Sequence, residues 1–331
     1  MRHFLLANRA PLLTGLILLL LWGLFASISP VTFFNGRIYT SLLSTIPLTI
    51  LLALGMTLLI IAREIDMSFP AIIALGGFIF AWLFQHTGSP LLALLGAMAG
   101  GLLCGLLNAL LIVQFQIPSI IATIGTQFFI GGLTTVLADG LALSLPEIRD
   151  TLLHTLLTGR VWEWLPAQAL WSLLAALLLW LLLSHHALGD NINFIGDNPE
   201  AARLMGVPVN RMRLGLFMLM GLLAALVGVL ISVEMSSWWP NQGQGYMLLV
   251  FASVFIGGTS VLGGKGTLLG SLFGACIIGM LEAGIISAGL DGFWTRLVYG
   301  VMILVALMIH GSLLQLQQGR WRSRFSNKVP T

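Results

Sequence analysis

Apolar residues run through this chain in long blocks separated by short polar breaks, and those blocks set the expected elements. Read with a window of about 19 residues, they fall at residues 12–29, 42–62, 69–84, 91–113 and 119–138, then at 169–184, 214–234, 247–262, 267–288 and 294–313. None shows the period of two that a lipid-facing barrel strand needs. Most approach the ~20 residues with which an α-helix crosses a bilayer. Lipid offers no partner for backbone amides, so helices that close their own hydrogen bonds are what such blocks form. The expected fold is all-α and polytopic: about ten transmembrane helices in one membrane domain spanning residues 1–331.

Composition adds exclusions. Charged residues make up 8% of the chain and hydrophobic ones 58%, whereas a soluble domain carries about a quarter charged; a water-soluble globule is ruled out. With the N-terminus inside, the inner side collects Arg2, Arg9, Arg63, Arg203, Arg211, Arg213, Lys265, Arg320, Arg322, Arg324 and Lys328. The other side keeps Arg37, Arg149, Arg160 and Arg296, so the split is 11 against 4. That bias orients the chain with both termini, and the basic tail at 316–331, in the cytoplasm. The net charge of +3 is thus a topology signal and implies no nucleic acid, only a lipid surface. The first block resembles a signal peptide, but with nine more behind it an uncleaved first helix is expected. Cys104 and Cys276 fall inside blocks and read as small buried hydrophobes, not a disulfide framework.

Two distant segments are alike. LLGAMAGGLLCGLLNA at 94–109 and LLGSLFGACIIGMLEA at 268–283 share Leu94/Leu268, Gly96/Gly270, Gly100/Gly274, Gly105/Gly279 and Ala109/Ala283 at an offset of 174. They are the fourth and ninth blocks. Elements five crossings apart point opposite ways through a membrane, the arrangement of inverted transporter repeats. The expected organisation is therefore two inverted five-helix repeats, 1–140 and 165–315, with chance similarity of two Gly/Leu-rich helices as the other reading. Small residues four apart let helix backbones approach closely, which alone can select them. The alignment also sets Asn108 opposite Glu282. A polar or ionisable residue inside a membrane helix is a functional candidate by default; both are candidates for a translocation pathway, or for structural hydrogen bonds.

Chemistry of its own is hard to find in this chain. GGTSVLGGKG at 257–266 has Lys265 followed by Gly266 where a phosphate loop needs Ser or Thr for magnesium; Gly257, Gly258, Gly263 and Gly264 read as a tight turn tolerating positive φ. Six scattered histidines form no metal-binding pattern and no GxSxG elbow exists, so no enzyme, metal or cofactor is expected. Glu234 and Glu282 are thin material for a proton relay, which favours a conduit driven from outside. An ion-coupled secondary transporter of a small polar solute is the alternative.

The polar stretch at 195–213, within a loop at 185–213, is where a driver can act. Asn198 reads as N-cap, Pro199 as first helical residue, Glu200 as a first-turn acid and Gly206 as terminator. Ala201, Ala202 and Leu204–Met205 give the short helix an apolar side from which Arg203 points away. Such a helix suits a groove on a soluble partner, or the lipid headgroups. Asp66 and Ser68 are placed to cap the third membrane helix. Trp238 and Trp239 read as interfacial anchors, or as a surface for stacking a solute or contacting a partner protein.

Four segments in order then carry a resemblance: REIDMS (63–68), NALLIVQFQIPSIIATIGT (108–126), GDNPEAARLMGVPVNRMR (196–213) and VFIGGTSVLGGKGTLLGSLFGACIIGMLEAGI (254–285). The chain resembles, over essentially its whole length, the permease subunit of bacterial ATP-binding-cassette importers of the ribose, arabinose, xylose and autoinducer-2 type. The resemblance implies a sugar or sugar-like solute carried inward across the inner membrane. It also implies a second permease subunit (identical or not), cytoplasmic ATPase subunits and a periplasmic solute-binding protein. It makes Asp197, Asn198, Pro199, Glu200, Ala201, Ala202, Arg203, Leu204 and Gly206 the segment coupled to the ATPase, and adds Thr123 and Thr126 to the pathway candidates. The chain departs from the family pattern at Arg63 and Glu64, where two glycines are usual, at Phe69 and Pro70 in place of Val-Gly, at Ile130, and at Glu282, where asparagine is usual.

Overall fold

The computed structural model describes residues 9–306 and 308. Its first half holds α1 (Arg9–Ile28), α2 (Pro30–Phe33), α3 (Gly36–Ile61), α4 (Phe69–Thr87), α5 (Pro90–Val113) and α6 (Ser119–Leu137). After a short α7 (Leu152–Thr158) come α8 (Ala167–His185), α9 (Ala187–Asp197), α10 (Pro199–Leu204), α11 (Val209–Met235), α12 (Tyr246–Ile256) and α13 (Leu268–Ser287), and then α14 (Phe293–Ala306). Among the described residues, eight helices (α1, α3, α4, α5, α6, α8, α11 and α13) are long and apolar enough to cross a membrane. The chain is a mostly helical, polytopic membrane protein. The eighth and tenth apolar blocks hold shorter helices, α12 and α14. The end of the tenth block, the basic tail and both termini lie outside the described residues.

The departures from the expected elements have local causes. Helix α3 begins at Gly36, not residue 42, because Asn35 caps it: its Oδ1 accepts a bond from Arg37 N at 3.0 Å. Helix α12 stops at Ile256, six residues before the apolar block ends, where Gly258 at φ +89° turns the chain. Helix α9 was not expected at all. Its stripe Gly189, Ile192, Ile195 and Gly196 is buried, but only four apolar-side positions in a polar stretch announce it. Two ladders of two residues also interrupt the all-α expectation: Leu143–Ser144 pairs antiparallel with Ser237–Trp238, and Arg160–Val161 with Leu165–Pro166.

Helix α11 runs through the middle, packed on α3, α4 and α5, while α13 packs on α1, α3 and α12. Between helices in lipid there is little hydrophobic drive, so close backbone approach does the joining. A Cβ added at Gly101 would land on the carbonyl oxygen of Gly221, and one at Gly221 on that of Gly101. One at Gly105 would strike the Phe217 carbonyl. The other pair repeats the device: Gly270 lies on the Gly257 carbonyl and Gly274 on that of Ser253. Of the glycines shared by the two similar segments, Gly105, Gly270 and Gly274 meet backbone carbonyls, whereas Gly96, Gly100 and Gly279 meet the side chains of Leu83, Ile79 and Ile46.

Overpacking a filled contact costs typically 1–3 kcal/mol, so Gly101→Leu should lower the midpoint of thermal unfolding in detergent by several degrees. Gly215→Ala in α11, where an added Cβ meets nothing within 4 Å, should leave it equal or higher, since alanine favours a helix by about 1 kcal/mol over glycine.

Candidate functional site

The polar groups of this molecule gather around the elbow at residues 62–68, between α3 and α4. Helix α3 ends with Arg63 N donating to Ile60 O at 3.0 Å and Glu64 N to Leu59 O at 2.9 Å. In this closing pattern the residue after the cap adopts the left-handed conformation, most often as glycine; here Arg63 does so, at φ +64°. The rest of the elbow is hydrogen-bonded to side chains of neighbouring helices. Ile65 N donates to Ser119 Oγ (3.2 Å) and Met67 N to Thr123 Oγ1 (2.9 Å). Ser68 donates from both N and Oγ to Asp66 Oδ1 at 2.7 and 2.6 Å. Asn108 Nδ2 donates to Ser68 Oγ (2.7 Å), and Thr126 Oγ1 to Asn108 Oδ1 (2.6 Å).

Asp66, Ser68, Asn108 and Thr123 are fully buried and Thr126 nearly so. Asp66 therefore serves as a cap, whereas Ser68, placed at the N-cap of α4, makes no capping bond; its hydroxyl is spent on Asp66 and Asn108. Asn108, Thr123 and Thr126 bind the elbow to α5 and α6. Asp66 Oδ2 is buried without a hydrogen-bond partner. Burial pushes the Asp66 carboxyl up from 3.8 to about 6, against the Ser68 bonds that pull it down. The neighbouring Glu64 carboxyl is also raised by burial, opposed by Arg213 and the Ser119 hydroxyl. Arg213 Nε lies 2.7 Å from Glu64 Oε1, a contact made by charge with poor hydrogen-bond alignment.

Beside this elbow stands α10. Asn198 Oδ1 accepts from Glu200 N (3.0 Å) and Ala201 N (3.2 Å), and Pro199 follows at the first position. The helix closes with Gly206 N donating to Arg203 O and Val207 N to Ala202 O, both at 3.0 Å, with Gly206 at φ +85°. Ala202 is buried against the core, so it is not part of the outward surface. Arg203 turns back to donate to Asn210 Oδ1 at 3.3 Å. The exposed side carries Leu204, at 91% exposure, and Met205. Asp197 is exposed and gives its carbonyl to Arg63. Of the four turn glycines, Gly258, Gly263 and Gly264 have positive φ; Gly257 is right-handed helical, and its requirement is the close contact with Gly270.

Two of the openings in the molecule gather uncharged polar side chains or Glu282. The larger, about 830 Å³, is walled by Pro70, Ala71 and Ala74 of α4, by Gln127, Phe128, Gly131 and Thr135 of α6, and by Asn241 and Gln244. None of its lining residues is charged. The second, about 350 Å³, lies between α3 and α13 and brings Glu282 together with Ser41, Thr45, Thr49 and Tyr246. Of the four pathway candidates, Glu282 lines one of these two openings. Gln127, Asn241 and Gln244 were not singled out from the sequence, although Gln127 directly follows the quoted Thr126. Trp238 is neither an anchor nor a stacking platform: it is fully buried, donates from Nε1 to Ala74 O at 2.9 Å, and packs on Phe78.

A helical membrane protein that pairs a capped surface helix with a neutral polar cavity has the parts of a transport subunit. Residues 38–307 match the family described as branched-chain amino acid transport system / permease component, and the chain belongs to that family. It is 31% identical over 294 residues to the ribose import permease protein of Escherichia coli K12, covering 88% of this chain and 91% of that one. The fructose import permease protein of Rhizobium meliloti is 30% identical over 319 residues, 93% and 87% of the two chains. The autoinducer 2 import system permease protein of Yersinia enterocolitica is 30% identical over 307 residues, 90% and 82%. No solved structure matches the chain. The family resemblance drawn from four segments is borne out.

The Asp66 environment makes a prediction with a definite sign. Because the folded chain holds the proton more tightly, folding takes one up between 3.8 and about 6. Stability falls as pH rises through that window and stays at its lower level above it. Asp66→Asn keeps the acceptor for Ser68 and removes the ionisable oxygen. Its unfolding midpoint should gain on the wild type from about pH 4 to about pH 6 and hold a constant lead beyond, read by thermal unfolding in detergent across pH.

Proposed function

We propose that this chain is the permease subunit of an ATP-driven importer, carrying a neutral, hydroxyl-rich solute of the sugar class across the bacterial inner membrane. In this reading it pairs with a second permease subunit, receives solute from a periplasmic binding protein and is driven by separate cytoplasmic ATPases. Both termini lie in the cytoplasm, and ten crossings form two inverted halves. The swapped packing supports the halves: α11, from the second, sits on α4 and α5, while α3, from the first, sits on α12 and α13.

The observation that carries the proposal is α10. A helix of six residues is too short to persist alone in water, yet this one is closed at both ends by side-chain and backbone bonds and held by the buried Ala202. What it presents outward is Leu204 and Met205. A rigidly terminated apolar knob on the basic side of a membrane protein is suited to a groove on another subunit. Residues 197–206 are the coupling segment in this reading, with Ala202 as its internal anchor and Asn198 and Gly206 as its terminators.

The solute class follows from the larger cavity. A zwitterionic amino acid would need charges to meet its ammonium and carboxylate groups in a low-dielectric site, and the lining has none. Amides at Asn241 and Gln244, the Thr135 hydroxyl and the exposed ring of Phe128 suit a neutral polyol, as do the ribose, fructose and autoinducer 2 named for the relatives. Gln127 is committed to Ala71 N at 3.1 Å and acts as a fixed part of the wall.

Two results are expected. Leu204→Asp places a charge on the knob without touching the fold; the permease should keep its unfolding midpoint but no longer co-purify with its ATPase, and normal co-purification would contradict the coupling assignment. Asn241→Leu with Gln244→Leu should keep the ATPase bound and lower uptake of labelled sugar at least tenfold, an amount set by leaving solute hydroxyls unpaired. Competition by ribose or fructose but not by leucine supports the solute class; the reverse order overturns it.

A further inference from the structure

Arg63 is a non-glycine residue in the left-handed region at a helix end where glycine fits without strain. Such a residue persists only where its surroundings over-determine it. The surroundings here are explicit. Arg63 Nε donates to Gly196 O at 2.6 Å and Nη2 to Asp197 O at 2.7 Å. These are the last two carbonyls of α9, the negative end of its dipole, and a guanidinium is the group best matched to them. On the other flank a Cβ at Gly263 would run into Arg63 Cγ, and Gly264 N donates to Ile61 O at 2.9 Å. Gly196 fits between Ile61 and Gly264 only because it lacks a side chain.

The next residue does the complementary thing. Glu64 is paired with Arg213, which lies in α11 after the coupling helix, whereas Gly196 and Asp197 lie before it. Two consecutive residues of the elbow therefore hold the two flanks of α10. Behind them the elbow is bonded to α6 through Ser119 and Thr123, and one turn further along α6 come Gln127 and Phe128 of the cavity wall.

We propose that Arg63 and Glu64 are positioning residues that clamp both flanks of the coupling segment to the α3–α4 elbow, so that displacement of α10 is carried to the α6 wall of the solute cavity. The proposal rests on the coupling reading of α10 for its purpose, but not for its mechanics. Where the family pattern has two glycines, this chain has a two-point linkage through charged side chains. Arg63 supplies the link to α9, Glu64 the link to α11, and the Gly263–Gly264 turn keeps the guanidinium stem from swinging away.

The test uses the purified full-length permease in nanodiscs, read by amide hydrogen exchange, with no ATPase present. Asn198→Ala removes both N-cap bonds of α10 and serves as the perturbation. In the otherwise native chain it should raise exchange within α10 and also at residues 64–67, by about tenfold, the scale of one weakened charge-assisted bond. In an Arg63→Gly, Glu64→Gly background, which also relieves the left-handed strain, the same perturbation should stay confined to α10. Arg63→Lys, which keeps the charge but not the fork, should transmit less than the native residue and serves if the double-glycine chain does not fold. Exchange at 64–67 that ignores Asn198→Ala in the native chain, or responds equally in every background, overturns the clamp. Loss of ATPase docking is measured separately through Leu204→Asp, so failure of the coupling reading leaves this result standing on its own.

Discussion

Inside a helical bundle set in lipid, every polar group that leaves a helix has to be met by another part of the same chain, and the elbow at residues 62–68 is where that constraint is sharpest. Seven residues of non-helical backbone lie there among apolar helices. Their amides are answered by Ser119 and Thr123, and their side chains by Asn108, Arg213 and each other. A partly satisfied network is worse than an apolar core, because each orphaned group carries its desolvation penalty in a low dielectric. The elbow, bonded throughout except at Asp66 Oδ2, ties α3, α4, α5 and α6 together. The elbow is bonded to the carbonyls before α10 through Arg63 and to α6, which walls the neutral cavity, through Ser119 and Thr123.

The membrane character, the family and the short helix at 199–204 were legible in the sequence because each rests on local signals. Apolar blocks report helices directly, and Asn198-Pro199 with Gly206 is a start and stop pair that the backbone follows, φ +85° at Gly206 included. What was not legible depends on contacts between distant residues. Asn108, Thr123 and Thr126 look like pathway residues by composition, but the chain buries them together, and no local pattern says that a polar position in a span faces the elbow instead of a cavity. Trp238 looks interfacial by its place in the sequence, yet the 236–245 segment folds inward and its indole reaches Ala74 O. The stripe of α9 escaped notice because two of its four buried positions are glycines, which carry little hydrophobic signal.

The departures from the family pattern acquire a physical sense in the structure. Arg63 and Glu64, where two glycines are usual, make side-chain bonds to Gly196, Asp197 and Arg213, and Arg63 does so from the left-handed region that favours glycine. Glu282 stands in the opening between α3 and α13 with Ser41, Thr45 and Tyr246. In the proposed reading the chain contributes an alternating surface, and the energy enters through the exposed apolar pair Leu204 and Met205.

That division of labour is open to one direct measurement. Purified permease reconstituted alone in liposomes, loaded with a proton or sodium gradient and offered radiolabelled sugar, should equilibrate at most and accumulate nothing. The same vesicles should accumulate label against its gradient once the ATPase, ATP and binding protein are supplied. Accumulation by the lone chain under an ion gradient would contradict the account.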